Sequence, residues 1–266
     1  WVGFSVVVIT EIISLFLKEP NKFQKSNVQL KDNAVKPEAK TPYKSSLKNI
    51  LKSSFFVSLL IYMFFMRGTL SIVSSGAKVY LQQLTDLKIV PVWLFGYLFC
   101  GIKISSALSS KYQFKFDSKF GVKSLLLFTV STVLSFFMVG IIYLFNYTSI
   151  ISIICILILL YVQGAIYRPV RIFTNNYMNV CLNPKDMDKA YSFRVSVEYA
   201  GYALISALYA FLLDVYKDNF GITNIVFMGV LTIPLLVSMF VSIRNIVKQY
   251  AKKFTVIKDE YVNDDF

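Results

Sequence analysis

Residues Ser124 to Phe145 read SLLLFTVSTVLSFFMVGIIYLF, 22 positions without one charged side chain. At 1.5 Å of rise per residue a helix of that length covers about 33 Å, enough to cross a hydrocarbon layer of about 30 Å. A barrel strand would alternate apolar with polar residues, and this stretch does not, so a spanning helix is the reading. It is one of seven apolar segments, at roughly 1–17, 50–80, 91–110, 122–145, 149–167, 189–214 and 222–247. All seven are long enough to span. Composition agrees: of 266 residues, 56% are hydrophobic and 16% charged, whereas a soluble domain carries about 25% charged residues. The expected fold class is an all-α integral membrane protein with seven transmembrane helices.

The same composition narrows the chemistry. There is no histidine, so the commonest general base and zinc ligand are missing, and no metal site or cofactor is expected. Three cysteines are too few for a disulfide framework. No GxxxxGK[ST], HExxH or GxSxG motif occurs. The chain is therefore not expected to be an enzyme. It opens at Trp1 inside an apolar run without a preceding basic stretch, which reads as a fragment and not as a signal peptide.

The net charge of +13 has to be tested against the loops before nucleic acid is considered. Residues 18–49 carry three prolines among lysines, asparagines and serines, and have no apolar period, which marks a linker. Nine Lys fall in or beside that linker, four after the third segment, five Arg and Lys around the loop after the fifth, and five at the C-terminal end, 23 of the 28 cations in the chain. The opposite side keeps Lys88 and Lys217, with Lys78 near the boundary. By the positive-inside rule the 23-cation face, with residues 18–49 and the C-terminus, is cytoplasmic, and the basic charge is a topology signal with no nucleic-acid partner implied.

Three features carry a resemblance. "FLKEP" (Phe16 to Pro20) closes the first segment, the long basic linker follows, and Ile166-Tyr-Arg-Pro-Val-Arg171 leads through Asn179 and Pro184 to Ala190-Tyr-Ser-Phe-Arg194. In this order and topology the chain resembles the major facilitator superfamily of secondary transporters, from its sixth helix and central loop to its twelfth helix. The resemblance implies four parts: residues 1–17 as the last helix of an N-terminal bundle, 18–49 as a cytoplasmic linker, 50–253 as a six-helix C-terminal bundle, and 254–266 as a polar cytoplasmic tail. It implies alternating-access transport of a small solute, ion-coupled with a proton as the candidate ion, in the plasma membrane. The partners would be the lipid bilayer, the missing N-terminal half and the solute. Asp117-Ser-Lys119-Phe-Gly121-Val-Lys123 is similar to the family's Asp-Arg-x-Gly-Arg-Arg loop, with the glycine one position later and lysines for arginines. Carried over, Asp117, Gly121 and Lys123 would form a conformational latch; the other reading is a solvated basic loop.

Charges inside apolar segments are costly, about 2.5 to 3.5 kcal/mol at the centre on insertion scales, and are functional candidates for that reason. Arg67, Lys103 and Glu198 lie well inside, and Glu11 nearer an end, whereas the fourth and seventh segments are charge-free between Ser124 and Phe145 and between Ile222 and Ile243. In the family the matching helices face lipid, while those matching the second, third, fifth and sixth segments line the cavity. Arg67, Lys103 and Glu198 therefore read either as solute- or proton-handling groups or as a buried ion pair, Glu198 with Arg67, Lys103 or Arg194. Two cations against one acid favour an anionic or zwitterionic solute. Gln163, Tyr167 and Tyr202 join the candidates as hydrogen-bonding groups, with interhelical bonds as the alternative. Ala200, Ala203, Ala207 and Ala210 form a small-residue stripe that would meet either the other half or a neighbour in the same bundle. Pro169 is expected to kink or end the fifth segment. Glu198→Gln is expected to abolish proton coupling while sparing the fold. A seven-helix receptor and a membrane-embedded enzyme are the competing functions.

Overall fold

Helix-forming runs of this length must satisfy their own backbone, and they do so as six long helices. The computed structural model describes residues 50–182, 186–217 and 219–263. These residues belong to the unit Tyr43–Phe266; the expected first helix, Glu11 and the whole linker 18–49 lie outside them. The helices are α1 (Ser54–Asp86), α2 (Leu94–Phe120), α3 (Lys123–Asn146), α4 (Ile150–Cys181), α5 (Met187–Val215) and α6 (Phe220–Asn263). No strand occurs among the described residues.

Five helices are long and apolar enough to cross a membrane: α1, α3, α4, α5 and, within α6, Phe220–Gln249. Of the seven expected spans the first lies outside the described residues, and five of the other six meet this measure. α2 is 27 residues long, but Lys103 and the serines at 105, 106, 109 and 110 interrupt its apolar run, and it is not among the five.

Several helices outrun the segments read from hydropathy. α2 continues through Phe120, so Asp117 and Lys119 sit in its last turn and not in a loop. The turn that follows has Gly121 at φ +49°, the left-handed conformation that commonly ends a helix. α6 runs through residues assigned above to a polar tail. α4 does not end at Pro169 but continues beyond it to Cys181. A proline has no N–H, so the carbonyl four residues earlier, Ala165, loses its helical donor. The Ser109 hydroxyl of α2 donates to that carbonyl at 2.5 Å, which is how neighbouring helices re-satisfy a proline-broken bond inside a membrane.

The most extensive pairings are α1 with α5, α2 with α4 and α3 with α6, followed by α1 with α6 and α3 with α4. Exchanging the first three helices for the last three leaves this pattern unchanged. Glycines set each of the three main crossings. A Cβ on Gly201 would lie 2.4 Å from the Phe64 carbonyl oxygen of α1, and one on Gly68 would lie 2.8 Å from the Gly201 oxygen. Gly140 and Gly221 face each other's carbonyls at 2.8 and 3.0 Å between α3 and α6, and Gly164 lies against Ile102 between α4 and α2. Without a hydrophobic drive between helices in lipid, close backbone approach of this kind is what holds a bundle together.

α1 is the most enclosed helix, with Phe56, Tyr62, Met63, Met66 and Tyr80 fully buried. α3 turns Leu126, Val130, Leu134, Met138, Ile141 and Leu144 outward, and α6 does the same with Val230, Ile233, Val237 and Phe240. These apolar outer faces are suited to lipid. Polar groups point inward, as in the Tyr62–Thr129 bond of 3.2 Å and the Ser242 hydroxyl donating to the Ser58 carbonyl at 2.9 Å. The alanine stripe of α5 is exposed at all four positions, so packing among the described residues does not use it.

Candidate functional site

Four helices surround a cavity of about 340 Å³, at the small end of ligand-pocket sizes. α1 contributes Arg67, Ser71, Ser74 and Lys78, whose spacing of four, three and four residues puts them on one face. α2 contributes Lys103 and Ser106, α4 Gly164, Tyr167 and Arg171, and α5 Glu198, Tyr199 and Tyr202. Among the described residues α3 and α6 supply no lining residue. Apolar helices that carry a polar stripe on one side fold this way because the stripe cannot face lipid.

The structure brings Arg67, Lys103, Tyr167, Glu198 and Tyr202 to the lining of one cavity and joins Arg67, Tyr167 and Glu198 to one another. Arg67 Nε donates to Glu198 Oε2 at 3.2 Å, and its guanidinium lies over the Tyr167 ring, 3.7 Å from the centroid. Arg194 Nε lies 3.2 Å from the other carboxylate oxygen, Glu198 Oε1. Arg194 also donates through Nη1 to Asn175 Oδ1, tying α5 to α4. Glu198 is thus shared by two arginines, one on its own helix four residues earlier and one on α1. Arg194 and Glu198 are 2% and 6% exposed. Of the ion pairs expected from the sequence, two form at once and the one with Lys103 does not form among the described residues.

Gln163 is corrected. It is 1% exposed and does not line the cavity, and neither of its side-chain polar atoms has a hydrogen-bond partner among the described residues. It precedes Gly164 by one residue, about 100° around α4 from the face on which Gly164, Tyr167 and Arg171 line the cavity. The latch set is also changed in place: Asp117 belongs to α2, Gly121 to the turn, and Lys123 opens α3. Neither Gly121 nor Lys123 lines the cavity.

Sequence reasoning missed Lys78, which it put at a boundary, and Arg171, which it put in a loop. Both become cavity residues because their helices continue past the apolar runs. The signals were available: Lys78 lies eleven residues, three turns, from Arg67, and Arg171 lies one turn from Tyr167. Lys78, Lys103 and Arg171 are exposed to the cavity side and have no carboxylate partner among the described residues. Arg67 Nη1 is buried and unpartnered there as well.

Chemically, the site offers positive charge, hydroxyls and aromatic faces to something small. Among the described residues no group of three or more His, Cys, Asp or Glu side chains is placed to hold a metal ion. Neither the protein-family models nor the curated proteins give a match to this chain.

Proposed function

We propose that this chain moves a small solute across a membrane by alternating access, as part of a secondary transporter of the major facilitator type. The observation that carries the reading is the cavity, polar and charged inside an apolar bundle, lined by α1, α2, α4 and α5 and not by the charge-free stretches Ser124–Phe145 of α3 and Ile222–Ile243 of α6. The exchange of three helices for three in the pairing pattern supports it, because three-helix repeats of opposite orientation are the usual architecture of such carriers. The exposed alanine face of α5 leaves room for a second bundle. In this reading residues 18–49 and the C-terminus are cytoplasmic, the membrane is the plasma membrane, and the protein is not an enzyme.

The test is accessibility from each side. Cys100, Cys155 and Cys181 are replaced by serine, and Ser71→Cys or Ser106→Cys is introduced into the protein carrying this chain. A membrane-impermeant thiol reagent is then applied to sealed vesicles of each orientation. Alternating access gives partial labelling from either side, shifted by the transported solute. Labelling that is full from both sides at once, as in a pore, or absent from both, refutes the proposal.

A further inference from the structure

Arg67, Lys78, Lys103 and Arg171 line the cavity with Glu198, and Arg194 stands against the far oxygen of that carboxylate. Five positive charges meet a single negative one, and Glu198 is already engaged by two guanidiniums. The group carries a net charge of +4 (five cations less one carboxylate), and Lys78, Lys103 and Arg171 have no carboxylate partner among the described residues. Inside a low-dielectric bundle such a cluster repels itself, and an anion between its members relieves that repulsion while gaining attraction from each.

The geometry is also that of a grip. Arg67 spends Nε on Glu198 and one face on Tyr167, which fixes its plane and leaves Nη1 as an unpartnered donor. A planar guanidinium held this way suits the oxygens of a carboxylate or phosphoryl group. Lys103 arrives from α2 at the level of Gly164, since Gly164 packs on Ile102, and Arg171 arrives from α4 one turn beyond Tyr167. Cations on three helices thus converge from different directions, which favours charge spread over more than one group. Ser71, Ser74 and Ser106 add hydroxyls.

We propose that the cavity binds a small soluble anion with at least two negative charges on oxygen, a phosphoryl or polycarboxylate group, held by Arg67, Lys103 and Arg171. This rests on the transport reading for the idea that the anion is carried, and the test measures binding so that the two fail separately.

The full 266-residue chain is placed in phosphatidylcholine nanodiscs, and its melting temperature is followed at constant ionic strength against inorganic phosphate, citrate, chloride, choline and glucose. Phosphate and citrate raise it saturably, and the other three do not. Lys103→Gln and Arg171→Gln each weaken the apparent affinity about tenfold, the size expected for one charge-assisted bond. Each Gln variant removes one of the mutually repelling charges, so without anion it melts no lower than the unaltered chain, and Lys103→Arg keeps the affinity. The proposal is overturned if neither anion shifts melting, or if both Gln variants respond like the unaltered chain. It is overturned too if phosphatidylglycerol in the disc stabilises the protein and soluble phosphate and citrate do not. Flux of a neutral or cationic solute without anion binding leaves transport standing and removes this proposal; saturable anion binding without flux does the reverse.

Discussion

Gly201→Ala should separate α1 from α5 and weaken the site in the same step. The added methyl would lie 2.4 Å from the Phe64 carbonyl oxygen and 3.0 Å from its Cα, all backbone atoms that cannot rotate away. Restoring ordinary contact requires the helices to part by roughly 1 Å, and overpacking of this kind costs about 1 to 3 kcal/mol, here at the upper end. Replacing a helical glycine by alanine returns about 1 kcal/mol. The net is a loss of about 2 kcal/mol, or about a 30-fold change in the unfolding constant. Glu198 lies three residues before Gly201, and Arg67 is next to Gly68, so the Arg67–Glu198 bond of 3.2 Å would stretch to roughly 4 Å, beyond hydrogen-bonding range. The control is Gly229→Ala, whose methyl meets nothing within 4 Å and which should gain up to about 1 kcal/mol. Equilibrium unfolding in mixed micelles measures both. If Gly201→Ala proves no less stable than Gly229→Ala, the α1–α5 crossing is not set by this contact and the reasoning fails.

Three further outcomes follow from single contacts. Ser109→Ala should cost about 1 kcal/mol, because the carbonyl freed by Pro169 loses its donor; in a Pro169→Ala background, where residue 169 regains its N–H, the cost should nearly vanish, and a double-mutant cycle in the same unfolding assay reads the difference. Gly121→Ala should cost about 1 to 2 kcal/mol although its methyl would have open space, since the backbone there is left-handed at φ +49°; Gly121→Asn should cost less, and equal melting of all three chains would contradict the account. Glu198→Gln, expected from sequence alone to spare the fold, should instead destabilise by about 3 kcal/mol, because Arg67 and Arg194 both lose the charge they face in a largely buried site. Unaltered melting of that variant would show that the two arginines are neutralised elsewhere.

How much was legible varies by residue. Arg67, Lys103 and Glu198 stood out because a charge in an apolar run is expensive wherever the helix goes, and that cost is written in one dimension. Tyr202 was found as a polar group on the helix of Glu198, and Tyr167 as one on another segment expected to line the cavity. Gln163 looked equivalent to them, yet one residue of rotation, about 100° around α4, takes it off the face that Gly164, Tyr167 and Arg171 present to the cavity. Lys78 and Arg171 were passed over because hydropathy ends a segment where apolarity ends, whereas a helix ends where its backbone bonds do. The serines of α2 lowered its hydropathy for the reason that made them useful: Ser106 faces the cavity and Ser109 repairs the break at Pro169.

The sequence by itself determined that the chain is helical, that most of its helices can cross a membrane, and which few charges had to be placed with care. Those conclusions depend on length, apolarity and the cost of burying charge, all of which are local. Only the tertiary structure decided that Glu198 serves two arginines, that glycine pairs set the crossings, and that four helices enclose the positive cavity while two stay outside it. These are distances between groups far apart in the chain, fixed by which helix faces meet, and helical periodicity gives the faces without giving their partners.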